Sequence, residues 1–149
     1  KKFLSKQIKK SYLALIHGVP DIKKGVISFP LEKSNLRKTS KNQDQFQDAI
    51  TEYEVIETTK DEISLIKLEP ITGRKHQIRK HLSMLSAPII GDAKYGNDDA
   101  PHNIEKRFYL HSYTIEFPCY SDGQNISIKA EIPKYFKKAM SILGIQFNE

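Results

Sequence analysis

The run Pro70-Ile-Thr-Gly-Arg-Lys-His-Gln-Ile-Arg-Lys-His81 gathers side chains suited to holding an anion. The chain has 20 Lys but only 4 Arg, and two of those Arg, Arg74 and Arg79, fall here beside two of its five His. A guanidinium is planar and permanently charged. It grips a carboxylate or phosphate through two parallel hydrogen bonds, which an ammonium cannot do. Arg in a chain otherwise stocked with Lys therefore points to an anion held with defined geometry. His76 and Gln77 add hydrogen-bonding groups, and Tyr12, far away in sequence, adds a ring that can stack on a base.

Elements on either side must position this run. Ile50 to Val55 alternates polar and apolar residues, and Ile63-Ser-Leu-Ile-Lys-Leu68 follows Lys60-Asp61-Glu62, so the two read as a hairpin with one buried face. Pro70 ends the second strand and Thr72-Gly73 turns the chain into a helix from about Arg74 to Leu85. At 100° per residue Ile78, Leu82 and Leu85 share one narrow sector, which packs on the sheet. His76, Arg79 and Ser83 lie on one flank of that stripe, and Arg74, Gln77 and His81 on the other, which would bring both Arg to the rim of a groove.

Ser11-Tyr-Leu-Ala-Leu-Ile-His17 is an apolar run closed by Gly18 and Pro20, the pattern of a buried strand, and Val26 to Phe29 reads as a shorter one. Leu31 to Asp48, with Lys33, Arg37, Lys38 and Lys41 among Ser, Asn and Gln, has neither hydrophobic period and reads as a long exposed loop, a solvated insertion in preference to a phosphate-contacting arm. Phe108 to Phe117 and Ile126 to Ile132 pair across a turn containing Gly123. Phe136, Met140 and Leu143 then recur at helical spacing between Pro133 and Gly144. Lys1 to Gln7 reads as the last turns of a helix, and the start at Lys1 reads as that of a fragment or processed product. The expected class is α+β, a single unit over residues 1–149 built on a mixed, mainly antiparallel sheet with flanking helices.

A formal charge of +6 and a pI near 9.3 are compatible with a polyanionic partner without establishing one. The lone Cys119 permits no internal disulfide, and with no secretory leader in view the expected compartment is cytoplasmic. No apolar run reaches the roughly 18 residues of a membrane span. A zinc site drawn from His76, His81, His102, His111 and Cys119 fails on spacing, because five residues separate His76 from His81 and four put two ligands on one helical face. No Gly-x-Ser-x-Gly elbow, Walker loop or dinucleotide-binding Gly pattern occurs.

Pro70 to His81, followed by Pro88-Ile-Ile-Gly-Asp92 and Tyr95-Gly96, resembles the C-terminal signature of the ribosomal-large-subunit type pseudouridine synthases. Lys10-Ser-Tyr-Leu-Ala-Leu-Ile-His-Gly18 is similar to that family's K-x-Y strand, Ala49-Ile-Thr-Glu-Tyr53 to its A-x-T-x-Y strand, and Leu110-His-Ser112 to its late L-H-A strand. The matches run in order from about Lys10 to Phe117. The resemblance implies the C-terminal part of an isomerase catalytic domain. Such enzymes detach uracil from its ribose in RNA, turn it and rejoin it through C5, with no cofactor.

The family nucleophile is an Asp within an H-R-L-D string that this sequence does not contain. Asp21, Asp61 and Asp92 lie outside that context, and Asp92 reads as a turn-stabilising carboxylate. By resemblance Arg79 pairs with the catalytic Asp and, with that Asp elsewhere, is expected to be orphaned here. Tyr12 stacks on the flipped base and acts near C5. Arg74, His76 and Gln77 line the RNA-facing entrance. The partner implied is RNA, 23S-type ribosomal RNA first and transfer RNA second. The chain alone is expected to be inactive and to self-associate through an exposed sheet edge. The alternative is an RNA-binding module that reuses the scaffold without chemistry.

Overall fold

The computed structural model describes residues 8–33, 45–97, 99–101 and 103–149. They form β1 (Lys9–His17), β2 (Lys24–Ser28), β3 (Leu31–Glu32), β4 (Phe46–Gln47), β5 (Ile50–Thr58), β6 (Ile63–Pro70), α1 (Gln77–Met84), β7 (Leu110–Pro118), β8 (Asn125–Lys129) and α2 (Lys134–Leu143). The α+β class expected from the sequence is the class observed.

A strand apolar on both faces must be covered on both faces, and β1 is that strand. Leu13, Ala14, Leu15 and Ile16 are all at 0% exposure, and β1 lies inside a six-stranded sheet of order β2-β5-β6-β1-β7-β8 whose pairings are all antiparallel. Alternation along the strand sends successive side chains to opposite faces. Leu13 and Leu15 join Ile63, Leu65, Tyr109 and the α2 residues Phe136, Ala139 and Met140 in one core. Ala14 and Ile16 join Ile66, Leu68, Tyr53 and the α1 residues Ile78 and Leu82 in the other. Tyr12, two residues before Ala14, packs at the margin of this second core and so lies on the α1 side of the sheet.

The expected hairpin is β5 paired with β6, and β6 ends at Pro70 as read. The closing helix is α2, with Pro133 at its N-cap and Gly144 in the left-handed region at its C-cap. Several expectations need correction. The ends of the Leu31 to Asp48 segment are not loop but pair with each other as β3 and β4, Leu31 opposite Gln47 and Glu32 opposite Phe46. Arg37, Lys38 and Lys41 lie outside the described residues, as do the expected helical turns at Lys1 to Gln7. Strand β8 stops at Lys129, short of Ile132. Helix α1 begins at Gln77 rather than near Arg74, because His76 takes a left-handed conformation (φ 54°) at the N-cap. Leu85 is not part of the buried stripe. It is the C-cap residue, 39% exposed, and Ser86 at φ 57° turns the chain away.

Candidate active site

Helix α1 lies against β5 and β6, and its two flanks do different work. On the β5 flank Gln77 is buried and uses every hydrogen-bonding position of its amide. Its Oε1 accepts from Thr72 Oγ1 at 2.6 Å and from the Arg74 N–H at 3.0 Å. Its Nε2 donates to the Ile50 carbonyl and to Thr51 Oγ1, both at 2.9 Å. Thr72 Oγ1 in turn accepts from the Ile50 N–H at 2.9 Å. One side chain thus ties the turn before the helix to the first residues of β5. A buried amide with all its positions used stays put, because any departure strands several polar groups away from water. Gln77 therefore does not face an RNA entrance. The sequence reading of it as an RNA contact is corrected by its burial.

His81, a helical turn further on, is fully buried in the same network. Its Nε2 lies 2.9 Å from the Phe29 carbonyl and its Nδ1 2.8 Å from Thr51 Oγ1. A carbonyl only accepts, so Nε2 carries the proton, and Nδ1 then accepts from the Thr51 hydroxyl. Burial lowers the His81 pKa from its ordinary 6.5 against the opposing effect of the Phe29 carbonyl. Unfolding frees this ring to protonate. Its contribution to stability is therefore complete above pH 6.5 and declines as pH falls through 6.5 toward the depressed folded value. We expect urea midpoints to drop between pH 8 and pH 5, with a smaller drop in His81→Asn. His17 and His76, whose pKa values are also lowered, supply a residual slope of the same sign. Parallel pH dependence in wild type and variant would contradict this account of His81.

The other flank carries Arg79 and Ser83, as the helical spacing implies, with His76 beside them at the N-cap, and all three engage one turn, Asp92 to Gly96. Ser83 Oγ donates to the Tyr95 carbonyl at 2.6 Å. His76 Nδ1 and the Tyr95 hydroxyl share a hydrogen bond of 2.8 Å, with the two rings edge to face. Arg79 is not orphaned. Its Nε and Nη2 donate to the two carboxylate oxygens of Asp92 at 2.9 and 2.7 Å, and its Cζ stands 4.9 Å from the centre of the Tyr95 ring and 5.0 Å from that of Phe108. Asp92 also accepts the N–H groups of Lys94 and Tyr95, so its reading as a turn-stabilising carboxylate holds. Burial works against its charge, but the Arg79 hydrogen bonds, the two backbone N–H groups and the Arg79 charge prevail and hold its pKa below the usual carboxylate value. The Asp92 hydrogen bond in turn raises the pKa of Arg79.

Burial and the cations Arg79, Lys94, Lys75 and Lys80 lower the pKa of His76. Asp92 is paired with Arg79, so Lys75, Lys80 and Lys94 leave this surface net positive. Arg74 sits apart from them. Its Nε donates to the Asp48 carbonyl at 2.7 Å, which anchors the residue beside the start of β5. Tyr12 is half-buried on the same side of the sheet as α1, opposite Leu68 on β6 and Ser112 on β7, at a register shift between Ser11 and Tyr12.

A family model described as RNA pseudouridylate synthase matches residues 1–84 of the 149. The chain belongs to the RNA pseudouridylate synthase family. It is 34% identical over 140 residues to the ribosomal large subunit pseudouridine synthase C of Rickettsia bellii (strain RML369-C), covering 91% of this chain and 46% of that protein. It is 40% identical over 148 residues to the synthase of the same description from Buchnera aphidicola subsp. Baizongia pistaciae (strain Bp), with 93% and 46% covered. With the dual-specificity RNA pseudouridine synthase RluA of Escherichia coli (strain K12) it shares 35% identity over 134 residues, 87% of this chain and 60% of the other. The chain thus spans about half the length of the first two of these relatives. Among solved structures, human RNA pseudouridylate synthase domain containing 4 superposes with a TM-score of 0.78 at 24% identity, over 97% of this chain and 66% of that one, a likeness of fold.

Within this chain, the structure brings His76 and Arg79 together around Tyr95, sets Tyr12 on the same side of the sheet, and removes Gln77 to the interior. Sequence reasoning missed Tyr95 and Phe108 as neighbours of Arg79, and His81 and Thr51 as parts of a buried network. The Tyr95-Gly96 pair was visible as a motif, but no local pattern carries a contact to a residue 16 positions earlier on a helix.

Proposed function

We propose that the polypeptide to which this chain belongs isomerises uridine to pseudouridine in RNA, large-subunit ribosomal RNA in the first instance, with an Asp nucleophile supplied from outside these 149 residues. The observation that carries the reading is Arg79, the Arg of the family signature, fixed by Asp92 on the side of the sheet to which Tyr12 also belongs. In the isomerisation the bond from ribose C1′ to N1 breaks and a bond from C1′ to C5 forms. N1 gains a proton and C5 loses one. Arg79 holds the nucleophilic carboxylate ionised and aimed. Tyr12 stacks on the flipped uracil with its hydroxyl near C5. His76 and Arg74, with Lys75, Lys80 and Lys94, meet the phosphates that help offset the cost of flipping.

The test is a comparison of lengths. The 149-residue chain alone is expected to form no pseudouridine in ribosomal RNA fragments, whereas a longer polypeptide that includes an H-R-L-D segment forms it. In the longer protein Arg79→Ala is expected to lower turnover about a hundred- to a thousandfold. Pseudouridine made by the 149-residue chain would overturn the assignment of the nucleophile. Tight, salt-dependent RNA binding by a longer protein that never forms pseudouridine would favour the non-catalytic module instead.

A further inference from the structure

An Arg side chain carries five N–H donors, and the partners of Arg79 account for two of them. Asp92 takes the side-on pair, Nε and one hydrogen of Nη2. The guanidinium packs against the rings of Tyr95 and Phe108. What remains is the end-on edge, one hydrogen of Nη1 and the second of Nη2, together with the other hydrogen of Nη1 on the Cδ side. Among the described residues none accepts from Nη1, and the side chain is 21% exposed. That edge is itself a bidentate fork.

We propose that Asp92, Tyr95 and Phe108 are positioning residues that aim the end-on edge of Arg79 at a second carboxylate, and that Asp92 sets how basic this carboxylate remains. The inference rests on the reading that Arg79 holds the catalytic Asp. Asp92 is suited to the task because it is buried and held by the backbone around it. It is 1% exposed, accepts the Lys94 and Tyr95 N–H groups at 3.2 and 3.1 Å, and follows Gly91, whose backbone lies directly on Arg107 and Phe108. Arg79 therefore comes to Asp92, and only one edge of its fork is left to offer. The charges follow the same logic. A guanidinium shared between two carboxylates neutralises each less completely than one held by a single partner. The nucleophile thus keeps a higher pKa, and more reactivity, than it would beside an unshared Arg79.

The experiment uses the longer polypeptide with its H-R-L-D segment. Asp92→Asn is expected to lower kcat about 10- to 100-fold with KM for RNA changed less than about twofold. The acid limb of the kcat profile should move to lower pH, because a negative charge beside the nucleophile is gone. Asp92→Glu should restore part of kcat. A folded Asp92→Asn enzyme with unchanged kcat, or with an acid limb that stays in place or moves up, overturns the proposal. Should Asp92→Asn fail to fold, Phe108→Leu removes a ring and keeps the ion pair. It is expected to cost kcat about tenfold at unchanged KM, and an unchanged kcat there overturns the proposal equally. Arg79→Ala separates the two levels. An active Arg79→Ala enzyme sinks the role of Arg79 itself, whereas an inactive one beside a fully active Asp92→Asn sinks only the positioning by Asp92.

Discussion

Replacing Gly91 by Ala is expected to destabilise the fold by at least about 4 kcal/mol, close to the whole stability of a marginal domain. Two costs combine. Gly91 has φ 84°, in the left-handed region that a side chain disfavours by about 1 kcal/mol. More seriously, a Cβ there would stand 2.0 Å from the Arg107 carbonyl oxygen, 2.7 Å from its carbon and 3.1 Å from the Phe108 Cα. These are backbone atoms that no rotamer change can move. Nor can the backbone yield cheaply. Ile90 donates to the Leu15 carbonyl at 2.9 Å and accepts from the Tyr109 N–H at 3.1 Å, while Leu15 donates to the Tyr109 carbonyl at 3.1 Å. Central strand β1 and the approach to β7 would have to part. Gly123→Ala is the control, since Gly123 has a similar φ of 70° and nothing within 4 Å of its would-be Cβ. It should cost only the conformational part, about 1 kcal/mol. Urea unfolding followed by circular dichroism measures both, and equal small effects would show that the close approach at Gly91 is not a constraint.

Gln77→Leu tests whether that residue braces the turn before α1. Leu fills nearly the same volume but leaves the Arg74 N–H and the Thr72 O–H without the acceptor they use in the fold, while the Ile50 carbonyl keeps the Ile71 N–H at 2.9 Å. Each buried polar group stranded in this way costs about 1–3 kcal/mol. Some will find water, so a total of about 3 kcal/mol is expected, read as a lower urea midpoint. Lys75→Ala, at an exposed position two residues away, should change stability by less than about 0.5 kcal/mol. A Gln77→Leu protein as stable as wild type would show that this hydrogen-bond network does not brace the turn. The expected loss instead makes it the brace for the turn that presents Arg74 and His76.

The strands were legible because burial leaves a period in the sequence. Leu13 to Ile16 reads as a continuous apolar run because β1 has a core on each face. Ile78 and Leu82 were legible for the same reason at helical period. β3 and β4 were not, since two residues each are too short to carry any period. The helical wheel also sorted Arg74, Gln77 and His81 onto one flank without saying whether that flank met water or protein. β5 decided it, by placing Thr51 and the Ile50 carbonyl where Gln77 and His81 had donors and acceptors to spend.

By itself the sequence determined the Arg- and His-rich make-up of Pro70 to His81, the succession of the longer strands along the chain and the family signature, because residue type and period along the chain are local properties. It also set Arg79 and Ser83 on one side of α1, since 3.6 residues per turn requires it, whereas His76 reaches that side from the left-handed N-cap. What holds Arg79 was decided only by the tertiary structure. Its carboxylate partner lies 13 residues further on and its Phe108 ring 29, brought in where the backbone of Gly91 crosses that of Arg107 and Phe108. A contact made by two chain segments crossing has no period, and therefore leaves no local trace in the sequence.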